Sequence, residues 1–129
     1  MKLLLDTQAF LWALADPDRL DSKTRHILAD KATTVSVSVV SLWEILVKCR
    51  VGKLAADIAS ITAQLAPASK IQLLDLSPRH LHALNGLPFH EQHRDPFDHL
   101  IIAQAIVEGM TLVTRDRNAP LYPVPLMAP

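Results

Sequence analysis

A chain of 129 residues, half of them apolar and a fifth charged, is the size of one globular domain with a real hydrophobic core. Its 13 basic and 13 acidic residues cancel, so no strong overall field marks it as a nucleic-acid binder; any attraction for phosphate has to be local or come from a bound cation. The single cysteine, Cys49, excludes an intramolecular disulfide, and it sits in an apolar-patterned stretch where it reads as a small packing residue. No segment reaches the roughly 18 apolar residues of a membrane span. The opening Leu3–Leu5 run is too short for a secretion-signal core, so a cytoplasmic protein with no membrane association is the expectation.

Leu3 to Leu5 reads as a short buried strand closed by Asp6. Thr7 to Ala15 has helical spacing, with Phe10, Leu11 and Leu14 on one side, and Asp16-Pro17-Asp18 is a turn. Leu20 to Asp30 reads as a second helix, with Asp21 or Ser22 placed to cap it. Thr33 to Val40 alternates and is rich in Thr and Val, which predicts a second strand. Ser41 to Arg50 is helical, with Gly52 at the stop, and another helix runs from Asp57 to about Ala66. Ile71 to Leu76 is the third strand. Ser77-Pro78 opens a helix ending near Gly86. A polar loop, Leu87 to Arg94, leads into Asp95-Pro96 and a strong helix from Phe97 to Glu108, stopped by Gly109. Met110 to Thr114 is the fourth strand, and the proline-rich tail has room for a short edge strand at most. Strands separated by helices predict a single α/β domain over residues 1–129: a mostly parallel sheet with helices on both faces.

In such folds ligands sit beyond the carboxyl ends of the strands. Asp6 ends the first strand and Asp116 follows the fourth. Asp95 and Asp98 begin the helix before that fourth strand, and Glu44 is read in the first turn of the helix after the second. Carboxylates gathered at one edge repel one another and need a compensating cation; hard oxygen ligands suit Mg²⁺ or Mn²⁺, which activate water and stabilise the leaving oxygen of a phosphodiester. Each acid also has a local reading. Asp6 and Asp95 suit helix N-caps, Ser41-x-x-Glu44 matches a capping box, Asp98 suits a helix dipole, and Asp116 suits a turn. Their joint placement carries the argument. It predicts one cleft in which Asp6, Asp98 and Asp116 form the tighter group and Glu44, on a longer and looser side chain, stands at the periphery.

Four blocks resemble PIN domains, and among them VapC-type toxins. They are Leu3-Leu4-Leu5-Asp6-Thr7; Ser41-Leu42-Trp43-Glu44-Ile45 with Lys48 and Gly52-Lys53-Leu54; His93-Arg94-Asp95-Pro96-Phe97-Asp98 with Leu100-Ile101-Ile102-Ala103-Gln104-Ala105; and Leu112-Val113-Thr114-Arg115-Asp116. They fall in order over nearly the whole chain. The resemblance implies a PIN-like three-layer sandwich and a metal-dependent endoribonuclease with Asp6, Glu44, Asp98 and Asp116 as its catalytic and metal-holding acids. Thr114 matches a hydroxyl position that supports the site, and Asp95 is read as a cap beside it. The family role implied is the toxin of a type II toxin–antitoxin pair, with an RNA substrate, a VapB-like antitoxin and a homodimeric state. Two positions depart from the pattern: His99 stands where an arginine is common, and the segment after Asp116 is proline-rich where relatives carry an aromatic residue.

Other signals are weaker. His90-Glu91-Gln92-His93 is one residue short of a zinc-binding i, i+4 pair and lies in a loop without helical character. Trp12, Trp43 and Phe97 read as packing residues. Arg94, Arg115 and Arg117 flank the acids, where they either contact RNA phosphates or are simply solvated. Three glycines preclude a Gly-rich phosphate loop. Two other functions compete. A catalytically silent PIN-like module that binds RNA or protein has no need to hold mutually repelling carboxylates. A phosphoacceptor receiver domain wants its aspartate at the end of a middle strand and a lysine after the last strand, and neither is present.

Overall fold

Leu3, Leu4 and Leu5 are all fully buried, which places the first strand in the middle of a sheet covered on both faces. A computed structural model describes all 129 residues. In it, β1 (Lys2–Leu5) pairs in parallel with β2 (Thr34–Ser38) on one side and β4 (Thr111–Val113) on the other. β3 (Ile71–Leu74) extends the β2 side and β5 (Leu126–Met127) the β4 side, giving the all-parallel order β3-β2-β1-β4-β5.

The two-residue period of β1 divides the core. Leu3 and Leu5 point with Val35, Val37 and Val113 into one cluster, closed by Ala9 and Phe10 of α1 (Thr7–Ala15), Leu42 and Ile45 of α3 (Val39–Arg50) and Ile61 of α4 (Ile58–Ala63). Ile27 and Leu28 of α2 (Ser22–Ala29) pack against the same cluster. Leu4 and Leu112 point the other way, against Leu100, Ile101, Ile102 and Ala105 of α6 (Pro96–Glu108), with Leu84 of α5 (Pro78–Asn85) beside them. This is the expected three-layer α/β sandwich.

Boundaries moved where local polar chemistry overrode the hydrophobic pattern. The predicted strand Thr33–Val40 stops at Ser38, because the Ser38 hydroxyl accepts the Val40 N–H at 2.9 Å and caps α3 there. The capping box read at Ser41-x-x-Glu44 is therefore absent, and Glu44 stands in the second turn of α3, not the first. The helix predicted over Leu20–Asp30 is α2, which starts at Ser22 with Asp21 as its cap, one of the two caps expected, and the turn read at Asp16-Pro17-Asp18 is a 3₁₀ turn over Pro17–Arg19. The third strand ends two residues early, at Leu74. The proline-rich tail forms a 3₁₀ turn at Ala119–Leu121 and the two-residue edge strand β5. α6 ends at Gly109, whose left-handed backbone (φ 65°) suits a residue with no Cβ. No helix is long and apolar enough to cross a membrane.

Candidate active site

All parallel strands point their carboxyl ends the same way, so the residues that follow β1, β2 and β4 meet at one edge. There Asp6, Glu44, Asp98 and Asp116 line a single cleft of about 440 Å³, with Asp95, His93 and Lys48 on the same walls.

Asp6 has two jobs on two oxygens. Oδ1 accepts the Ala9 N–H at 2.8 Å and caps α1. Oδ2 accepts the Thr114 hydroxyl at 2.6 Å. Thr114 Oγ1 in turn accepts the Asp116 backbone N–H at 3.0 Å, so one threonine after β4 orients two acids. Burial pushes the Asp6 carboxyl above the ordinary aspartate range; the Thr114 and Ala9 hydrogen bonds oppose this, and the charges of Glu44 and Asp116 add to it.

Glu44 lies outside the tightest trio, as expected of a peripheral acid, but its side chain is not loose. It is 4% exposed. Oε1 takes the Thr7 hydroxyl at 2.6 Å and Oε2 the Lys48 ammonium, one helical turn on, at 2.7 Å. Thr7 Oγ1 also lies 2.9 Å from Ser41 Oγ; with one proton each, Thr7 donates to the carboxylate and Ser41 donates to Thr7. Ser41 thus braces Glu44 through Thr7 and not through a helix cap. The Lys48 ammonium is held charged above its ordinary range, first by its bond to Glu44 and further by the charges of Glu44, Asp95 and Asp98.

Asp95 Oδ1 accepts the Phe97 and Asp98 N–H groups at 2.9 and 3.2 Å, capping α6. That cap sets Asp98 in the first turn, facing the cleft. Burial pushes the Asp98 carboxyl up to about 7, and Asp95, Asp116 and Glu44 add to the shift. A hydrogen bond from His93 pulls against it.

His93 is the residue that sequence reasoning missed. It is 5% exposed, and its Nε2 lies 2.8 Å from Asp116 Oδ2 and 3.3 Å from Asp98 Oδ2. These three side chains each offer a ligand atom within 4.8 Å of one another, so the tight trio contains His93 where the sequence suggested Asp6. The imidazole Nδ1 lies 2.8 Å from the Tyr122 hydroxyl. His99, at the position where arginine was expected, bonds the His93 carbonyl through Nε2 at 2.6 Å. Tyr122, from the proline-rich tail, thus reaches the site through His93. The signal in the sequence is the position of His93, two residues before the capping Asp95.

The arginines fare differently. The Arg115 guanidinium lies over the Trp12 ring, 4.7 Å from its centroid, with Arg19 near the same ring at 5.4 Å. Arg94 and Arg117 are exposed, Arg94 bonded only to the Glu91 carbonyl. Trp12 is buried as expected of a packing residue, but Trp43 is 57% exposed and makes an edge contact with Phe97 at 4.8 Å between centroids.

The donor set fits a divalent cation. Several carboxylates converge, two of them pushed up by burial and by one another, and the ammonium of Lys48 is committed to Glu44. Fold and cleft together define a parallel α/β domain with a carboxylate site at the carboxyl edge of its sheet. The PIN domain model matches residues 3–124, and the chain belongs to the PIN domain family. Solved structures with the same fold include VapBC2 from Rickettsia felis bound to a promoter DNA fragment, at 22% identity and TM-score 0.74 over 99% of this chain and 98% of that one. DNA-bound VapBC from Salmonella typhimurium matches at 15% identity and TM-score 0.65 over 99% and 98%. VapC20 from Mycobacterium tuberculosis, a toxin that cleaves the sarcin–ricin loop, matches at 20% identity and TM-score 0.59 over 92% and 93%. No curated protein sequence matches the chain.

Proposed function

We propose that this chain is a metal-dependent endoribonuclease and the toxin of a type II toxin–antitoxin pair. The observation that carries the reading is the single cleft in which Asp6, Glu44, Asp98 and Asp116 converge within a PIN domain. Asp6, Asp98, Asp116 and Glu44 would hold Mg²⁺ or Mn²⁺. When bound, the ion supplies charge neutralisation, an activated water and a clamp on the scissile phosphate.

The protein's own groups prepare for that. Thr114 turns Asp6 Oδ2 and fixes the backbone of Asp116. Asp95 sets the first turn of α6 and so the direction of Asp98. Thr7 and Lys48 lock both oxygens of Glu44, leaving little rotamer freedom to lose on binding. Exposed Arg94 and Arg117, and Arg115 stacked over Trp12, are the candidate contacts to RNA phosphates.

The solved relatives are largely VapBC complexes, which supports a VapB-like antitoxin as partner. The groove between α1 and α4, about 430 Å³ and lined by Leu11, Leu14, Leu54 and Ile61 among others, suits an amphipathic helix from it. Exposed Trp43, Leu46 and Phe89 are apolar surface available to a homodimer.

The test is cleavage of RNA by purified protein with Mg²⁺ or Mn²⁺ and again in excess EDTA. Cleavage that stops on chelation and returns with the metal supports the reading. Equal cleavage in EDTA refutes the metal mechanism, and metal-loaded protein that binds RNA without cutting it favours a silent binding module.

A further inference from the structure

The acids explain the charge of the cleft but not why a buried imidazole stands among them. His93 is held from three directions. Its Nδ1 meets the Tyr122 hydroxyl at 2.8 Å, its carbonyl is bonded by His99 at 2.6 Å, and its ring packs against that of His99 at 4.9 Å between centroids. The free edge of the ring, Nε2, is aimed between Asp98 and Asp116.

The neutral ring has two tautomers, and Tyr122 can serve both, because a phenol hydroxyl donates or accepts. In one, Tyr122 donates to Nδ1 and the Nε2–H donates to Asp116; this satisfies the carboxylate when no cation is near. In the other, Nδ1–H donates to the Tyr122 oxygen and the Nε2 lone pair points into the space shared with Asp98 and Asp116. The second is the arrangement of a metal-bound histidine, whose remote nitrogen donates to a fixed acceptor that sets ring orientation and tautomer.

We propose that His93 is a nitrogen ligand of the metal in this cleft, beside Asp98 and Asp116, and that the mixed nitrogen–oxygen set selects a first-row transition ion such as Mn²⁺ over Mg²⁺. The inference rests on the metal-dependent reading above and adds to it the identity of a ligand and of the ion class. Magnesium is a hard ion that takes oxygen and keeps its waters, whereas imidazole suits the first-row transition ions. An all-carboxylate cleft has no such bias; one buried imidazole introduces it.

The test uses the full chain, stripped with EDTA and loaded with one equivalent of Mn²⁺, in pulsed electron paramagnetic resonance. Nitrogen-14 modulation from a bound imidazole is expected in the wild type and in His99→Gln, and its loss in His93→Gln. In calorimetry with the metal alone, the wild type binds Mn²⁺ more tightly than Mg²⁺. His93→Gln narrows that preference by about tenfold or more, and Tyr122→Phe weakens Mn²⁺ by roughly 10–100-fold, as removal of a partner behind a ligand does. The wild-type spectrum decides the question even if a variant folds poorly. Bound Mn²⁺ without nitrogen modulation, or modulation that survives His93→Gln, overturns the assignment while leaving the nuclease reading intact. Failure to bind Mn²⁺ at all overturns both.

Discussion

Thr114→Val replaces one methyl-for-hydroxyl position and leaves the side-chain shape nearly unchanged, so no cavity term enters. Two hydrogen bonds go. The first, from the Thr114 hydroxyl to Asp6 Oδ2 at 2.6 Å, involves a charged acceptor, a class worth about 1.5–3 kcal/mol. The second leaves the Asp116 N–H without its acceptor at 3.0 Å; a neutral bond of this kind is worth about 1 kcal/mol. Thr114 is largely buried, so water replaces neither partner well. The expected loss is about 2.5–4 kcal/mol, a large share of the roughly 5–15 kcal/mol that holds a domain of this size together. Urea melts in EDTA-containing buffer measure it without interference from metal. Thr114→Ser restores the hydroxyl and is expected to recover most of the loss. A Thr114→Val protein within about 0.5 kcal/mol of wild type, or a Thr114→Ser protein as unstable as the valine variant, would show that Thr114 does not brace the two acids as argued.

Asp98→Asn is expected to abolish metal-dependent cleavage with the fold intact, whereas Asp95→Asn keeps most activity, because asparagine still accepts the Phe97 and Asp98 N–H groups at the α6 cap; paired cleavage and melting measurements showing the reverse would exchange the two roles. Ser38→Ala removes the α3 cap, worth about 1 kcal/mol, and strips the fully buried Gln104 Oε1 of its Ser38 partner, which costs about 1–3 kcal/mol more; a melt shifted by less than about 0.5 kcal/mol counts against this buried pair. Glu108, at the end of α6, is held below the usual glutamate range chiefly by the bond from His80 Nε2 at 2.8 Å, then by Arg79. A depressed carboxyl contributes stability that is present above its unfolded value near 4.5 and is lost as pH falls through the lower folded value. Glu108→Gln is therefore expected to destabilise by about 1 kcal/mol at neutral pH and to converge with wild type in acid; a gap that widens as pH falls would invert that sign.

Element order, the parallel sheet and its buried centre were legible because Leu3–Leu5 and the Leu100–Ala105 run are apolar beyond what one face can use, and because Asp95-Pro96 and Gly109 mark the two ends of α6. Boundaries failed where β-branched residues sit inside a helix: Val39 and Val40 continue the alternation of β2, yet the Ser38 hydroxyl turns the chain into α3 just before them. That error propagated to Glu44, whose partner Ser41 was read as a cap when it acts across to Thr7 on α1. Such a pairing joins residues 34 positions apart, and no local pattern announces it. His93 escaped for the same reason. Its partners, Asp98, Asp116 and Tyr122, come from α6, from the end of β4 and from the tail, and only the folded chain brings them together.

The local duties of the acids are compatible with the role proposed for them. A carboxylate has two oxygens, and Asp6 gives one to the cap of α1 and keeps the other in the cleft, aligned by Thr114. Asp116 divides in the same way, with Oδ1 accepting the Asn118 N–H at 2.9 Å and Oδ2 facing His93. Capping removes a rotational freedom that the carboxylate would otherwise lose on meeting a ligand, so the structural duty prepares the chemical one. α6 separates the duties between residues: Asp95 caps, and Asp98, one turn deeper, presents to the cleft the carboxyl whose pKa burial pushes up to about 7. A cluster built this way is stiff before anything binds to it. Its strain is electrostatic rather than conformational, and a cation that relieves the repulsion meets side chains already in place.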